Sequence, residues 1–430
     1  MNPTPHEKSR RVRRVVAAVL IFSLFSGLTP SSQGYSVLSH EAIIDSAWER
    51  GIQPLLLKRF PAATPEDLKR ARAFCYGGSA IQDLGYYPFG NKFFSELVHY
   101  VRSGDFIQAL IRDSNDLDEY AFALGALSHY VSDNEGHPLA INLAVPILYP
   151  KLKRKYGDHV TFAENPAAHL KTEFAFDVLQ SAEGHYATED YHDRVGFKVS
   201  KTVLEKAFLD TYSLELQSVF SDFDLAIGSY RRGVSTVIPK MTEVAWELKK
   251  DEIQKDFPGM TKKQYVYRLS KREYRNRWAE KYRDQGFGTK LLAFVIRIIP
   301  KVGPFKALTF QVPTPETEKM FRASLRDTTK EYDRLLTELR ESGRVTLENN
   351  NFDTGRVTGP GEYPLADDTY AELIDRLADK HFKGITPELQ RTLLAYYSDL
   401  NSPFATKRKK KEWAKVVREV DELKTYAPGD

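Results

Sequence analysis

The sequence has little cysteine, and this scarcity narrows the kinds of site that it can hold. Cys75 is the only cysteine among 430 residues, so an intramolecular disulfide and a multi-cysteine zinc site are both excluded. A metal ion would therefore be held mainly by His, Asp and Glu, and the chain has ten histidines and 58 acidic residues. The net charge of +4 is small for this length and does not by itself indicate a nucleic-acid-binding protein.

The sequence also lacks a clean apolar run of the roughly 20 residues that a membrane-spanning helix needs. The apolar run near the N-terminus covers only residues 15–28, after one lysine and four arginines between positions 8 and 14. Ser32 and Gly34 then form the small-residue pattern that precedes signal-peptide cleavage. We predict a signal peptide over residues 1–34, a new N-terminus at Tyr35, and an exported protein that is periplasmic or secreted. An uncleaved N-terminal anchor is the alternative.

Alternating strand patterns are scarce, and helical patterns dominate from residue 36 onward. Thr64-Pro65-Glu66-Asp67 is typical of a helix start, with a capping threonine, an early proline and acidic residues near the positive end of the helix dipole. Apolar residues recur at helical spacing over residues 118–131, 164–179, 203–220, 235–253 and 316–342. The sequence therefore predicts an all-α fold.

A segment rich in glycine, asparagine and proline, residues 349–364, marks the best candidate boundary in the chain. We predict a helical domain over residues 35–345. Residues 346–430 are then a loop and a short helical C-terminal extension, to which the sequence assigns no role.

Two histidine–carboxylate pairs have the spacing of metal ligands on a helix. His129 and Asp133 are four residues apart, as are His169 and Glu173, so each pair projects from one helix face. Two such pairs on facing helices offer nitrogen and oxygen donors to zinc. His40, Asp83, His99 and His137 are further candidates, since an unpaired ionisable group is costly beside apolar segments. A buried polar contact without a metal is the alternative reading of each pair.

The order of these residues resembles the zinc-dependent phospholipase C family and its relatives, the single-strand-specific zinc nucleases. The resemblance covers roughly residues 35–180 and implies an exported, all-helical domain with three Zn²⁺ ions. In that family the N-terminal residue freed by signal cleavage binds zinc through its own amine and carbonyl. The resemblance implies one zinc held by Asp83, His99, His129 and Asp133, another by His137, His169 and Glu173, and a third by Tyr35, His40 and Asp133.

Two positions depart from the family pattern. The family usually places its third histidine six residues after the helical aspartate, whereas His137 follows Asp133 by four. Residues 134–138 are interpreted as a shortened turn that delivers the same imidazole. Tyr35 stands five residues before His40, where the nucleases have a tryptophan. Because the backbone supplies this ligand, the change is compatible with zinc binding.

The resemblance implies hydrolysis of a phosphodiester by a metal-activated water, with Asp83 both binding zinc and orienting or deprotonating that water. A phospholipid head group is the predicted substrate. A single-strand nuclease or nucleotidase, with Tyr86, Tyr87 and Phe89 stacking on bases, is one alternative, and a non-catalytic zinc-binding module is another. The basic and aromatic stretch 262–283, the apolar stretch 291–312 and the basic run 407–411 could contact a membrane surface. A packed core segment and solvated helix faces are the alternative for these stretches.

Overall fold

The computed structural model describes residues 36–182, 198–232, 246–247, 250–251, 253–255, 258–259, 261–262, 310–400 and 410–427. Tyr35 and the predicted signal peptide therefore lie outside the described residues. Most of the stretches 262–283, 291–312 and 407–411 lie outside them as well, so their predicted membrane contacts stay predictions.

The first part of the fold is a series of helices joined by short turns. These helices are α1 (Val37–Ala47), α2 (Gln53–Arg59), α3 (Pro65–Ile81), α4 (Lys92–Tyr100), α5 (Ser103–Asp113), α6 (Leu117–Gly136) and α7 (Asn142–Leu148). A π-helical turn at Trp48–Ile52 joins α1 to α2, and a second one at His137–Ile141 joins α6 to α7. A 3₁₀ turn at Gln82–Tyr86 extends α3.

The remaining described elements are also helices, apart from one short hairpin. They are α8 (Pro150–Tyr156), α9 (Pro166–Ala182), α10 (Lys201–Tyr212), α11 (Leu216–Val219), α12 (Phe223–Arg232), α13 (Pro315–Ser342), α14 (Pro364–Ala378), α15 (Pro387–Tyr396) and α16 (Lys410–Thr425). The two-residue strands β1 (Asn350–Asn351) and β2 (Arg356–Val357) pair antiparallel, with Asn350 opposite Val357. The prediction of an all-α fold is confirmed.

The predicted start of α3 is confirmed in detail. The Thr64 side chain accepts a hydrogen bond from the Asp67 amide, and the Asp67 side chain accepts one from the Thr64 amide. Pro65 occupies the first turn, where its missing N–H leaves no helical hydrogen bond unmade. This reciprocal capping fixes the beginning of the helix that leads to Asp83.

Helices α3 and α6 pack unusually closely, and two glycines allow it. A Cβ atom on Gly78 would lie 1.9 Å from the Phe122 carbonyl oxygen, and one on Gly125 would lie 1.9 Å from the Cys75 carbonyl oxygen. No side chain fits at either position, because such separations are far below van der Waals contact. The close approach brings the end of α3 against the part of α6 that carries the predicted metal ligands.

The C-terminal segment shares the core of the helical body. One cluster of buried apolar residues runs from Val37 to Leu423 and includes Phe352, Tyr363 and Leu373. The domain boundary at residue 345 stays a prediction, but the described residues beyond it pack against the body. Within the described part of the chain, no helix combines the length and apolar character needed to cross a membrane.

Candidate metal centre

One face of helix α6 carries three of the predicted ligands. His129, Asp133 and His137 are four residues apart, and all three side chains are fully buried. The sequence interpretation of residues 134–138 as a shortened turn is wrong, because α6 continues through Gly136 and His137 begins a π-helical turn. Short π-helical turns of this kind occur frequently at functional sites. His137 therefore stays on the face of Asp133, with 3.9 Å between its Nε2 and Asp133 Oδ2.

Asp133 lies at the centre of a ring of histidines. Its Oδ2 is 3.2 Å from His129 Nε2 and 3.5 Å from His99 Nε2, and its Oδ1 is 3.6 Å from His40 Nε2. Neither carboxylate oxygen makes a hydrogen bond within the described residues. A buried carboxylate surrounded by imidazole nitrogens is an arrangement that a cation satisfies.

Backbone carbonyls set the orientation of His99 and His129. His99 Nδ1 is 2.7 Å from the Ser95 carbonyl oxygen, and His129 Nδ1 is 2.8 Å from the Ser79 carbonyl oxygen. A carbonyl can only accept a hydrogen bond, so each Nδ1 carries a proton and donates it. The Nε2 atom of each ring is therefore the one that faces Asp133, which is the orientation that a metal-binding histidine requires.

The spacing of these donor atoms matches a zinc site. Four ligands at the ~2.0–2.2 Å typical of zinc form a tetrahedron whose corners are roughly 3.3–3.6 Å apart. The two Nε2 atoms of His99 and His129 are 3.4 Å apart, and His99 Nε2 is 3.5 Å from Asp83 Oδ1. Together with the contacts to Asp133, these separations fall at or near that range. These four separations fit a zinc ion, and Asp83, His99, His129 and Asp133 are the residues that would hold it.

A second set of donors lies around His169 on helix α9. Its Nε2 is 2.8 Å from Asn142 Oδ1, and its Nδ1 is 2.7 Å from Glu173 Oε1. The Asn142 amide cannot be turned around, because its Nδ2 donates a hydrogen bond of 2.7 Å to the Asp353 carbonyl oxygen. Asn142 Oδ1 therefore accepts from His169 Nε2–H, which leaves the Nδ1 lone pair facing the carboxyl group of Glu173.

Two lone pairs at 2.7 Å repel each other unless a proton or a cation lies between them. Burial, together with the nearby His137, lowers the pKa of His169 to about 3, so its ring is neutral near pH 7. Burial, together with the charge of Asp133, raises the pKa of Glu173 well above its ordinary value. A proton between the two groups is therefore carried by Glu173, and a metal ion bound by both residues would replace it.

Asp353 is the principal residue that the sequence analysis missed. It is fully buried, and its Oδ1 lies 2.9 Å from His137 Nδ1. Burial raises the pKa of Asp353, but the attraction of His137 and the contacts with His137 and Tyr363 outweigh this and lower it to about 2. Asp353 is therefore ionised. Its carboxylate lies beside Nδ1 of His137, and Nε2 of the same ring faces Asp133.

The pKa values of the donors around His99 are shifted in opposite directions. Burial lowers the pKa of His99, but its contacts with Asp133 and Asp83 outweigh this and raise it to about 10. Burial raises the pKa of Asp133, but attraction to His129 and contacts with His129 and His99 hold it well below its ordinary value. Burial also raises the pKa of Asp83. With its pKa raised to about 10, the His99 ring is protonated near pH 7, and its Nε2 lies 3.5 Å from both Asp83 Oδ1 and Asp133 Oδ2.

Helix α1 brings His40 to the same centre. The His40 and His129 rings are stacked, with centroids 4.3 Å apart, and burial followed by repulsion from His129 lowers the pKa of His40 to about 3. Asp177, one turn beyond Glu173 on α9, accepts hydrogen bonds from the amides of Leu38 and Ser39. A carboxylate at a helix N-terminus stabilises it. Asp177 therefore anchors the beginning of α1 beside the metal centre.

The structure brings eight of the nine sequence-predicted ligands into one buried region, and Tyr35 lies outside the described residues. The ligand atoms of His40, His129 and Asp133 all lie within 4.8 Å of one another, and so do those of Asp83, His99 and His129. His137, His169 and Glu173 lie beside these groups, with the His137 and His169 rings 4.9 Å apart. Sharing of Asp133 between metals stays a prediction, although its two oxygens face different histidines.

Comparison with known protein families finds a match that contains this site. Residues 39–222 match the family model described as zinc dependent phospholipase C. All predicted ligands from His40 to Glu173 lie within the matched residues, whereas Asp353 lies outside them. No curated protein and no solved structure matches the chain at a significant level.

Proposed function

We propose that the protein is a zinc-dependent phosphodiester hydrolase that cleaves phospholipid head groups in the manner of a phospholipase C. The observation that carries this proposal is the convergence of Asp83, His99, His129 and Asp133 at separations suited to zinc. Each histidine turns its Nε2 toward Asp133, because its Nδ1–H donates a hydrogen bond to a backbone carbonyl. The family match over residues 39–222 supports the same reaction class.

The proposed cluster has three zinc ions. The second would be held by His137, His169 and Glu173, where a shared proton now joins the last two residues. The third would be held by His40, Asp133 and the amine and carbonyl of Tyr35. This third site depends on signal-peptide cleavage after Gly34, which we also propose, together with export to the periplasm or the exterior.

Bound zinc would lower the pKa of water and neutralise charge on the phosphoryl oxygens. The side chains of the protein would supply the remaining steps of the reaction. Asp83 is buried and its pKa is raised, so this carboxylate is suited to orient an attacking water and accept its proton. The reaction needs no serine or cysteine nucleophile. Cys75 is buried, and burial raises the pKa of its thiol far above its ordinary value, which is unsuited to a nucleophile.

A nuclease that uses the same cluster is the second candidate function. Phe89 follows Asp83 by six residues, is 45 % exposed and has a left-handed backbone with φ of 66°. An exposed aromatic ring near a metal centre is suited to stacking on an unpaired base. Tyr86 and Tyr87 are less exposed, and Tyr87 packs against Tyr230 with 4.4 Å between the ring centroids. Phe89 is therefore the residue on which the nuclease alternative depends.

Two measurements separate these functions: the zinc content of the purified protein, and its activity on two substrates tested side by side. We expect two or three zinc ions per purified chain and hydrolysis of phosphatidylcholine that a chelator abolishes and zinc restores. Faster hydrolysis of single-stranded DNA would favour the nuclease. Fewer than two zinc ions with no turnover of either substrate would favour the non-catalytic module. His381→Asn is the matched control, because His381 is exposed and far in sequence from the cluster.

The role of Asp83 has its own test. Asp83→Asn keeps the shape of the side chain and removes its capacity to accept a proton near neutral pH. We expect turnover to fall by about 10²–10⁴-fold, the usual contribution of a general base. Zinc content is measured on the same sample. A variant that retains zinc and wild-type turnover would remove Asp83 from the proposed mechanism.

A further inference from the structure

The segment that contains Phe352 and Asp353 enters the metal centre from outside the family match. Both residues are fully buried and lie well beyond residue 222, where the matched segment ends. The Phe352 amide donates a hydrogen bond of 3.2 Å to the His99 carbonyl oxygen. The Phe352 ring lies 5.0 Å from the His99 ring and 6.1 Å from the His129 ring, measured between centroids. The segment therefore covers the first set of donors with an apolar side chain.

Asp353 is held rigidly at the second set of donors. Its Oδ2 accepts a hydrogen bond of 2.9 Å from the Tyr100 hydroxyl and another from the Tyr363 hydroxyl. Its Oδ1 lies 2.9 Å from His137 Nδ1. A buried carboxylate is stable only when it is paired and hydrogen-bonded. His137 is thus the imidazole that pairs with Asp353, and the other nitrogen of its ring lies 3.9 Å from Asp133 Oδ2.

Asp353 also reaches His169, through Asn142. The Asp353 carbonyl oxygen accepts from Asn142 Nδ2 at 2.7 Å, and this bond fixes which end of the amide faces His169. One residue thus sets the orientation of His137 directly and of His169 through a single intermediate. Carboxylate and carbonyl partners of this kind fix the tautomer and ring orientation of metal-binding histidines.

We propose that Asp353 is a positioning residue for zinc, and that the segment around it is an integral part of the metal centre. The proposal rests on the proposed zinc site but not on the reaction that the site performs. Asp353 itself does not bind the metal. It acts through His137 and, by way of Asn142, through His169.

The test compares zinc affinity in matched variants. Asp353→Asn keeps the shape of the side chain and removes its charge, and Asp367→Asn is the control. Asp367 is another buried aspartate of the C-terminal segment, and it accepts hydrogen bonds from the Gly361 amide and the Tyr396 hydroxyl. Zinc affinity is measured by competition with a chromogenic chelator. We expect Asp353→Asn to weaken the affected zinc by about 10–100-fold and Asp367→Asn to change it by less than about twofold.

A double-mutant cycle distinguishes positioning from a general structural role. Because Asp353 acts on His137 directly, most of the effect of Asp353→Asn should vanish in a His137→Ala background. Tyr100→Phe removes one hydrogen bond to Asp353 and serves as a milder variant if Asp353→Asn does not fold. We expect it to weaken zinc binding several-fold.

Three results would overturn the inference: an Asp353→Asn affinity within twofold of wild type, an equal loss in Asp367→Asn, or full additivity with His137→Ala. If Asp353→Asn does not fold, wild-type affinity in Tyr100→Phe would overturn it as well. A wild-type protein that binds zinc but hydrolyses neither substrate would overturn the proposed function alone. A wild-type protein that binds no zinc would overturn both proposals.

Discussion

His99 and His129 are oriented by backbone carbonyls, whereas His137 and His169 are oriented by the side chains of Asp353 and Asn142. We call the donors around His99 and His129 the carbonyl-held half of the metal centre. The donors around His137 and His169 form the side-chain-held half. The carbonyl partners come from Ser95, one turn before His99, and from Ser79 on the closely packed helix α3. They are present whenever the helices form and pack.

The difference between the two halves predicts where the metal centre is vulnerable. A backbone carbonyl is retained in any substitution that preserves the helix, so the carbonyl-held half should tolerate changes around it. The side-chain-held half depends on two particular residues, and one of them lies outside the family match. Substitutions can therefore weaken one half and leave the other intact.

The largest effect is expected at Asp133, because it faces both halves. Asp133→Asn removes the carboxylate that lies 3.2–3.9 Å from three histidine Nε2 atoms on its Oδ2 side. We expect zinc affinity to fall by more than about 100-fold, beyond the loss typical of an outer partner, with turnover lost as well. Metal content after dialysis measures this. Retention of all zinc ions would contradict the central position of Asp133.

The two halves should differ in the protonation of their histidines, and this difference should appear in the pH dependence of zinc binding. His99 has a pKa raised to about 10 and is protonated at neutral pH, whereas the pKa of His169 is lowered to about 3. Zinc must displace the His99 proton, so affinity should rise by about tenfold per pH unit. Over pH 6 to 8 the gain is about 100-fold.

Competition titrations at several pH values measure this slope, and ¹⁵N NMR of the metal-free histidine rings provides the control. At pH 7 we expect His99 to be doubly protonated and His169 to be neutral with its proton on Nε2. An affinity that does not change with pH, or a charged His169, would contradict the assignment.

A change at Asn142 should affect only the side-chain-held half. Asn142→Leu keeps the branched shape of the side chain but leaves His169 Nε2–H and the Asp353 carbonyl without their partner. We expect the zinc of this half to bind about 10–100-fold more weakly, while the other half keeps its affinity. Uniform weakening of all zinc ions would show that the two halves do not act separately.

The smallest effect is expected at Ser79. Ser79→Ala removes a hydroxyl that bonds only within helix α3, to the Tyr76 carbonyl, and retains the carbonyl that accepts from His129. Zinc affinity should stay within about twofold of wild type. A loss above tenfold would mean that the hydroxyl, rather than the backbone, supports His129.

Much of the fold was predictable because helix signals are local. The capped start at Thr64 and the helical spacing over residues 118–131 and 164–179 depend only on neighbouring residues, and the helices form there. The pairs His129–Asp133 and His169–Glu173 follow from the same periodicity. His137 was predicted as a ligand, but the π-helical turn that carries it was interpreted as a shortened turn.

The sequence by itself determined the helical class, the histidine–carboxylate chemistry and the two ligand pairs, since each follows from spacing along one helix or from composition. Only the tertiary structure decided the partners that orient those ligands. The Ser79 carbonyl reaches His129 because Gly78 and Gly125 let two helices approach closely, and Asp353 reaches His137 from more than 200 residues along the chain. Contacts between distant segments depend on how the helices pack, and no local pattern around Asn142 or Asp353 encodes that packing.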